Sequence, residues 1–159
     1  MSDIKFMQLA LKEAKKAFEK GEIPVGAVLV QYGRVISKAH NLVETWSDSL
    51  AHAEILTMKK AQKKMKSKWL YDTVLYVTLE PCSMCSGALV LARIAKVVIG
   101  AKNDKTGACG TILNIVQEKK LNHHVDVEFG VEEKMCKELL QNFFKKRRQE
   151  NRCTRSSIG

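Results

Sequence analysis

No run of about 18 apolar residues occurs anywhere in the 159-residue chain, so no segment reads as a membrane-spanning helix. A basic-then-apolar leader is missing too: Met1-Ser2-Asp3-Ile4-Lys5 opens straight into an amphipathic pattern, which predicts a chain with no secretory leader. Internal repeats, low-complexity blocks and linkers are absent, and one domain over residues 1–159 is expected. The cysteines do not form a set that pairs off. There are five, an odd number, and two of them are three residues apart. That disfavours a disulfide framework and favours a reducing, cytoplasmic compartment and a metal site. Nor is there a second CxxC or an HxxxH to close a four-ligand structural zinc site: Cys109, Cys136 and Cys153 are isolated, and His123 and His124 are adjacent. The remainder is ordinary for a globular chain, 45% hydrophobic and 28% charged, enough to close one core.

Acid is missing altogether from residues 59–68, which hold Lys59, Lys60, Lys63, Lys64, Lys66 and Lys68. A second basic segment holds Lys145, Lys146, Arg147, Arg148, Arg152 and Arg155 against the single acid Glu150; the two segments carry +6 and +5, and the rest of the chain −1, within a net charge of +10. Charge concentrated in this way suits a polyanion, nucleic acid before membrane. For residues 59–68 alone a solvated lysine face is an equal reading. The tail makes the stronger case, because Phe143 and Phe144 adjoin it and aromatics beside arginines suit unpaired bases.

Met7, Ala10, Leu11, Ala14, Ala17 and Phe18 recur at helical spacing, with Gly21 placed to end the helix. Val25 to Tyr32 and Val35 to Ser37 flank Gly33-Arg34 and predict a hairpin, and Asn41 to Leu50 reads as loop. A second helix is expected from about His52 through Met65, a strand over Val74 to Thr78, and a helix opened by Pro81 and carrying Ala88, Leu89 and Ala92. Val97 to Ile99 and Val125 to Phe129 predict further strands, Ile112 to Ile115 is ambiguous, and a basic helix and tail close the chain from about residue 132. Strands separated by helices imply crossovers and a sheet covered on both faces, an α/β fold in the form of a three-layer α/β/α sandwich.

Pro81-Cys82-Ser83-Met84-Cys85 follows the apolar strand directly. Cysteines at i and i+3 on an opening helix point the same way, and the positive end of the helix dipole favours the thiolates a metal requires. Alone, CxxC is a moderate signal, compatible also with a redox pair or with two small core residues. Ala51-His52-Ala53-Glu54, thirty residues upstream, narrows the choice. Three ligands (His52, Cys82 and Cys85) and a fourth position left to water is the layout of a catalytic zinc, in which the water titrates near neutral pH. In a regular helix His52 and Glu54 diverge by about 200°. Both can serve one site only if His52 stands at the leading edge, before the helix becomes regular.

H-x-E followed by P-C-x-x-C resembles the signature of the zinc-dependent nucleobase deaminases. More narrowly, the chain is similar to the branch that converts the anticodon wobble adenosine of tRNA to inosine. The stretches carrying the likeness are Glu22 to Val28, Ala51 to Ile55, Glu80 to Ala88, Lys105 to Ala108, Leu121 to His123, and Phe143 to Arg148. The resemblance implies a cytidine-deaminase-like sandwich with a mixed five-stranded sheet, a homodimer, and one Zn2+ per chain on His52, Cys82 and Cys85. It implies Glu54 as the catalytic group that moves protons. For substrate contacts it implies Pro24, Val25, Asn41, Ala53 and Pro81 around the base, and Asn103, Asp104, Lys105, Phe143, Phe144, Arg147 and Arg148 on the tRNA anticodon stem-loop. It implies no nucleotide cofactor and no membrane. One departure stands out: members commonly carry an acid where this chain has Asn103, followed by Asp104. An acid there can accept from a ribose 2′-hydroxyl, and Asn can accept as well but brings no negative charge. The alternatives are a deaminase of free cytosine, guanine or a nucleoside, which needs no basic aromatic-bearing tail, and a zinc-stabilised RNA-binding module without catalysis, which needs no Glu54.

Overall fold

In the computed structural model the described residues are 2–158, with side chains described through residue 153, so the side chain of Arg155 in the basic tail lies outside the description. The elements run α1 (Asp3–Glu19), β1 (Gly26–Gln31), β2 (Arg34–His40), α2 (Val43–Trp46), α3 (Ala53–Met65), β3 (Thr73–Leu79), α4 (Ser83–Leu91), β4 (Lys96–Ala101), β5 (Asp126–Phe129) and α5 (Glu133–Ile158). The strands form one five-stranded sheet in the order β2-β1-β3-β4-β5. β1 is antiparallel to both β2 and β3, whereas β3, β4 and β5 are parallel. The sheet is therefore mixed, as expected.

Alternation along the strands sorts the core into two layers. Ala27, Leu29, Leu75, Val77, Val97 and Ile99 point to one face, where Ala53, Met58, Ala61, Leu89 and Val90 of α3 and α4 meet them. Val28, Val30, Tyr76 and Val98 point to the other, against Phe6, Met7, Ala10 and Leu11 of α1 and Cys136 of α5. Burial on both faces is why these strands read as continuous apolar runs rather than alternating ones. α1 rides so close on β1 that a Cβ at Gly26 would collide with the backbone of Ala10 and Ala14.

Three local expectations need correction. The hairpin turn is Tyr32-Gly33, one residue earlier than Gly33-Arg34. Both residues are left-handed, at φ +48° and +74°, the geometry of a two-residue turn that follows the strand twist. The stretch Asn41 to Leu50 contains the short helix α2 rather than loop alone. Pro81 does not open α4: Cys82 is the N-cap and Pro81 precedes it. The ambiguous Ile112 to Ile115 lies in a compact loop closed by a single bridge between Cys109 and Asn114.

Topology fixes where a site can form. The C-terminal ends of parallel β3 and β4 lie beside the N-terminal end of antiparallel β1 and the C-terminal end of β2. Val25, Asn41, Glu80 and Lys102 thus leave the sheet at one edge, the edge where open α/β sheets place their ligands.

Candidate active site

Two helix starts build the floor. His52 is the N-cap of α3 at φ −76°, ψ 149°, and Cys82 the N-cap of α4 at φ −72°, ψ −179°, both extended. Neither side chain caps its own helix, although a capping bond is worth about 1 kcal/mol. They face each other instead, and Cys85 joins them one turn into α4. Extended backbone at His52 is what lets its ring and the Glu54 carboxylate share one pocket, as the two-residue spacing demanded.

His52 Nδ1 lies 3.6 Å from Cys82 Sγ and 3.4 Å from Cys85 Sγ. Nitrogen and sulfur ligands of a tetrahedral zinc, at bond lengths of about 2.0 and 2.3 Å, stand about 3.6 Å apart. The donor set therefore fits a tetrahedral metal. All three ligand atoms fall within 4.8 Å of one another, and among the described residues no fourth His, Cys, Asp or Glu joins the cluster. The electrostatics agree. A hydrogen bond from Cys85, assisted by His52, brings the Cys82 thiol down to about 4 against the opposing effect of burial. The Cys85 thiol moves up because Cys82 holds its proton and because it is buried beside Glu54. The two sulfurs thus push each other's proton affinity in opposite directions, and a cation held between them would favour both as thiolates. His52 is raised by its bond to Cys82.

Glu54 is 4% exposed, and burial pushes its carboxyl up to about 7. Its own backbone N–H and His52 pull the other way. A carboxyl with that affinity can both take and give a proton near neutrality.

The pocket encloses about 160 Å³ and is lined by Ile23, Val25, Asn41, His52, Glu54, Leu79, Glu80, Cys82, Asn103 and Thr106. Asn41 is 7% exposed, and its Oδ1 has no hydrogen-bond partner among the described residues. Leaving such an atom unpaired costs about 1–3 kcal/mol, and a donor entering the pocket could satisfy it. The Asn103 side chain turns onto its own loop, accepting from the Lys105 and Thr106 amides and donating from Nδ2 to Thr106 Oγ1.

Other sequence-derived candidates are placed differently. Pro24, Ala53 and Pro81 are buried but do not reach the lining, while Asp104, Lys105 and Arg148 are exposed outside it. A second hollow opens beside the first, sharing Ile23, Asn41 and His52 with it, and adds Glu22, Val43, Phe143, Phe144 and Arg147. The two phenylalanines differ. Phe143 is buried edge-on against Phe18 at 5.7 Å and anchors α5 to α1, whereas Phe144 is 43% exposed. Arg147 stacks 5.3 Å from the Phe143 ring and donates to the Gly21 carbonyl at 2.7 Å.

Ile23, Leu79, Glu80 and Thr106 were not among the sequence candidates. For Glu80 a signal existed: one acid ending an apolar strand, immediately before the PCxxC.

The comparisons with known proteins agree with this geometry. A profile of the MafB19-like deaminase family matches residues 1–148. The chain is 48% identical over 154 residues to a tRNA-specific adenosine deaminase of Bacillus subtilis (strain 168), which spans 97% of this chain and 96% of that one. It is 52% identical over 143 residues to a tRNA-specific adenosine deaminase of Aquifex aeolicus (strain VF5), at 90% and 94% coverage. A solved structure from a study of A-to-I editing by tRNA:A34 deaminases superposes with a TM-score of 0.83 at 40% identity, covering 86% of this chain and 99% of the other.

Proposed function

The chain belongs to the MafB19-like deaminase family, and on that footing we propose that it is a tRNA-specific adenosine deaminase, converting the anticodon wobble adenosine to inosine by hydrolysis. The observation that carries the reading is a three-ligand His-Cys-Cys cluster with a buried carboxyl of raised proton affinity in the same pocket.

We take the metal to be Zn2+, one per chain, held by His52, Cys82 and Cys85. Bound there, it supplies the Lewis acidity that makes a water reactive at neutral pH. Glu54 accepts a proton from the attacking water and places a proton on N1 of adenine, so that no negative charge builds on the ring as the C6–O bond forms. Glu54 then takes the remaining proton from the C6 hydroxyl and hands it to the amino group as the C6–N6 bond breaks, so that C6 becomes a carbonyl and ammonia leaves. The unpartnered Oδ1 of Asn41 accepts from a polar hydrogen of the substrate, and Val25 and Ile23 wall the ring. Phe144 and Arg147, in the adjoining hollow, meet the nucleotides flanking the extruded base. An anticodon loop is already unpaired, so extruding one base costs little.

The basic end of α5 favours this reading over a free-base deaminase, since a small substrate gives those charges nothing to hold. Residues 1–159 form one deaminase domain on this account. A second copy is the partner for the apolar hollow between α3 and α4, lined by Ile55, Met58, Ala88 and the 75% exposed Leu91. The free thiols fit a cytoplasmic setting, and among the described residues no helix is long and apolar enough to cross a membrane.

Mass spectrometry of nucleosides from tRNA incubated with the purified protein should reveal new inosine. Turnover of free bases or nucleosides with none on tRNA would overturn the substrate. The same assay on RNA and DNA versions of one anticodon stem-loop tests the preference for RNA, with faster turnover of RNA expected and equal rates counting against it.

A further inference from the structure

Glu80 is 1% exposed and follows the last residue of β3, two positions before the metal ligand Cys82. Among the described residues no ion pair neutralises it. Its charge is met instead by four donors from one loop. Oε1 accepts from the Asn103 amide at 3.2 Å and from the Thr111 hydroxyl; Oε2 accepts from the Cys109 amide at 3.0 Å and the Thr111 amide at 3.1 Å. Backbone bonds flank the carboxylate on both sides, Glu80 N–H to the Ala101 carbonyl and Ala108 N–H to the Pro81 carbonyl, each 2.9 Å. The fit leaves no slack. A Cβ at Gly107 would stand 2.5 Å from the Glu80 carboxyl carbon, so only glycine passes beneath it. A carboxylate is costly to bury without a cation, and charge-assisted bonds from a loop offset that cost only while the loop keeps one conformation.

The loop gripped in this way, residues 102–111, carries Asn103 and Thr106 into the pocket lining. We propose that Glu80 is a positioning residue: its carboxylate sets the conformation of the 102–111 wall, and through that wall the affinity for the RNA around the target base. One residue thereby ties the wall to the strand that delivers Cys82, so wall and floor keep a fixed spacing. This deepens the deaminase reading and rests on it for the identity of the substrate. It does not rest on it for the loop.

The test is Glu80→Gln in the full-length, metal-loaded protein. An amide can accept at one oxygen only, and its NH2 group faces the donors on the other side. The Thr111 hydroxyl can turn to accept from that group while the Cys109 and Thr111 amides keep the oxygen, so the Asn103 amide loses its partner. Amide hydrogen exchange at Asn103 should speed up by roughly tenfold or more, and KM for an anticodon stem-loop should rise by roughly tenfold with kcat within about threefold of wild type. Metal content should be unchanged. Glu80→Asp, which keeps both oxygens, should recover part of the KM. Should Glu80→Gln fail to fold, Thr111→Val removes one donor and leaves the carboxylate, and a KM increase of roughly threefold is expected. Unchanged exchange and KM would overturn the proposal, as would a fall in kcat with loss of metal, which would place the effect at Cys82 instead of the wall. If wild type fails to deaminate the stem-loop, the substrate reading fails, and the exchange measurement still decides the role of Glu80.

Discussion

The floor and the rim of the pocket are made in different ways. The floor uses two helix starts, each giving an extended N-cap residue and a second side chain within one turn: His52 with Glu54, Cys82 with Cys85. The rim uses the approach to β1, the exit from β2, the 102–111 loop and one turn of α5, which come together only because the sheet places their ends at one edge. The floor is held by ligand chemistry, the rim by buried carboxylates acting as clamps. Glu80 grips the loop after β4. Glu22, 0% exposed, accepts from the Glu44 amide at 2.9 Å and from the Thr45 amide and hydroxyl at 2.6 Å, fixing the start of α2. Burial acts to raise the Glu22 carboxyl, and these donors bring it below the usual range nonetheless. On the proposed function chemistry belongs to the floor and selection to the rim, so changes in the two should fall on different kinetic constants.

The largest effect belongs to Glu54. Glu54→Gln keeps the shape and the hydrogen-bonding reach of the side chain but cannot move a proton. It should lower kcat by about a thousandfold, with KM little altered and about one zinc per chain retained by metal analysis. Turnover within tenfold of wild type would show that another group carries the proton. Loss of zinc would show that residue 54 belongs to the metal and not to the chemistry.

Legibility in the sequence divides along the same line. The floor could be read because its residues are local: H-x-E and P-C-x-x-C each fall within one helical start, and even the extended backbone at His52 followed from a two-residue spacing. The sheet could be read because burial on both faces leaves long apolar runs, as in Val74 to Thr78. The rim resisted for reasons of tertiary structure. Nothing near Glu80 in sequence announces that its partners are 23 to 31 residues away. α2 has four residues and no buried one, too short for a periodic signal, and depends on the remote Glu22 for its first amides. Phe143 and Phe144 are neighbours, yet helical geometry sends one into the core and leaves the other outside.

A smaller effect should follow from Arg147, on the rim beside Phe144. Arg147→Ala removes a charge and the stacking on Phe143 without touching the floor. KM for the stem-loop should rise by about tenfold at unchanged kcat, and the salt dependence of binding should weaken by about one unit of slope. A drop in kcat at unchanged KM would mean that the floor and rim are not separable.

The smallest effect is expected from the other basic segment, and the reason lies in the sheet. β2 is an edge strand, and edge carbonyls without partners invite pairing with another chain. Lys60 Nζ donates to the Lys38 carbonyl at 3.1 Å and Lys64 Nζ to the Ile36 carbonyl at 3.2 Å, two residues apart on that edge. Lys68 lies 4.8 Å from the Trp69 ring. These lysines face the sheet edge, whereas Arg147, though bonded to the Gly21 carbonyl, also lines the hollow beside the pocket. Equal charge in the sequence is therefore expected to serve different duties: a guard on the sheet edge in residues 59–68 and, on the proposed function, a grip on RNA in α5. The double variant Lys60→Ala/Lys64→Ala should leave KM for the stem-loop within about twofold and lower Tm by a few degrees, with faster exchange along β2. A tenfold, salt-dependent loss of RNA affinity would assign this segment to the substrate instead, and the edge-guard reading would fall.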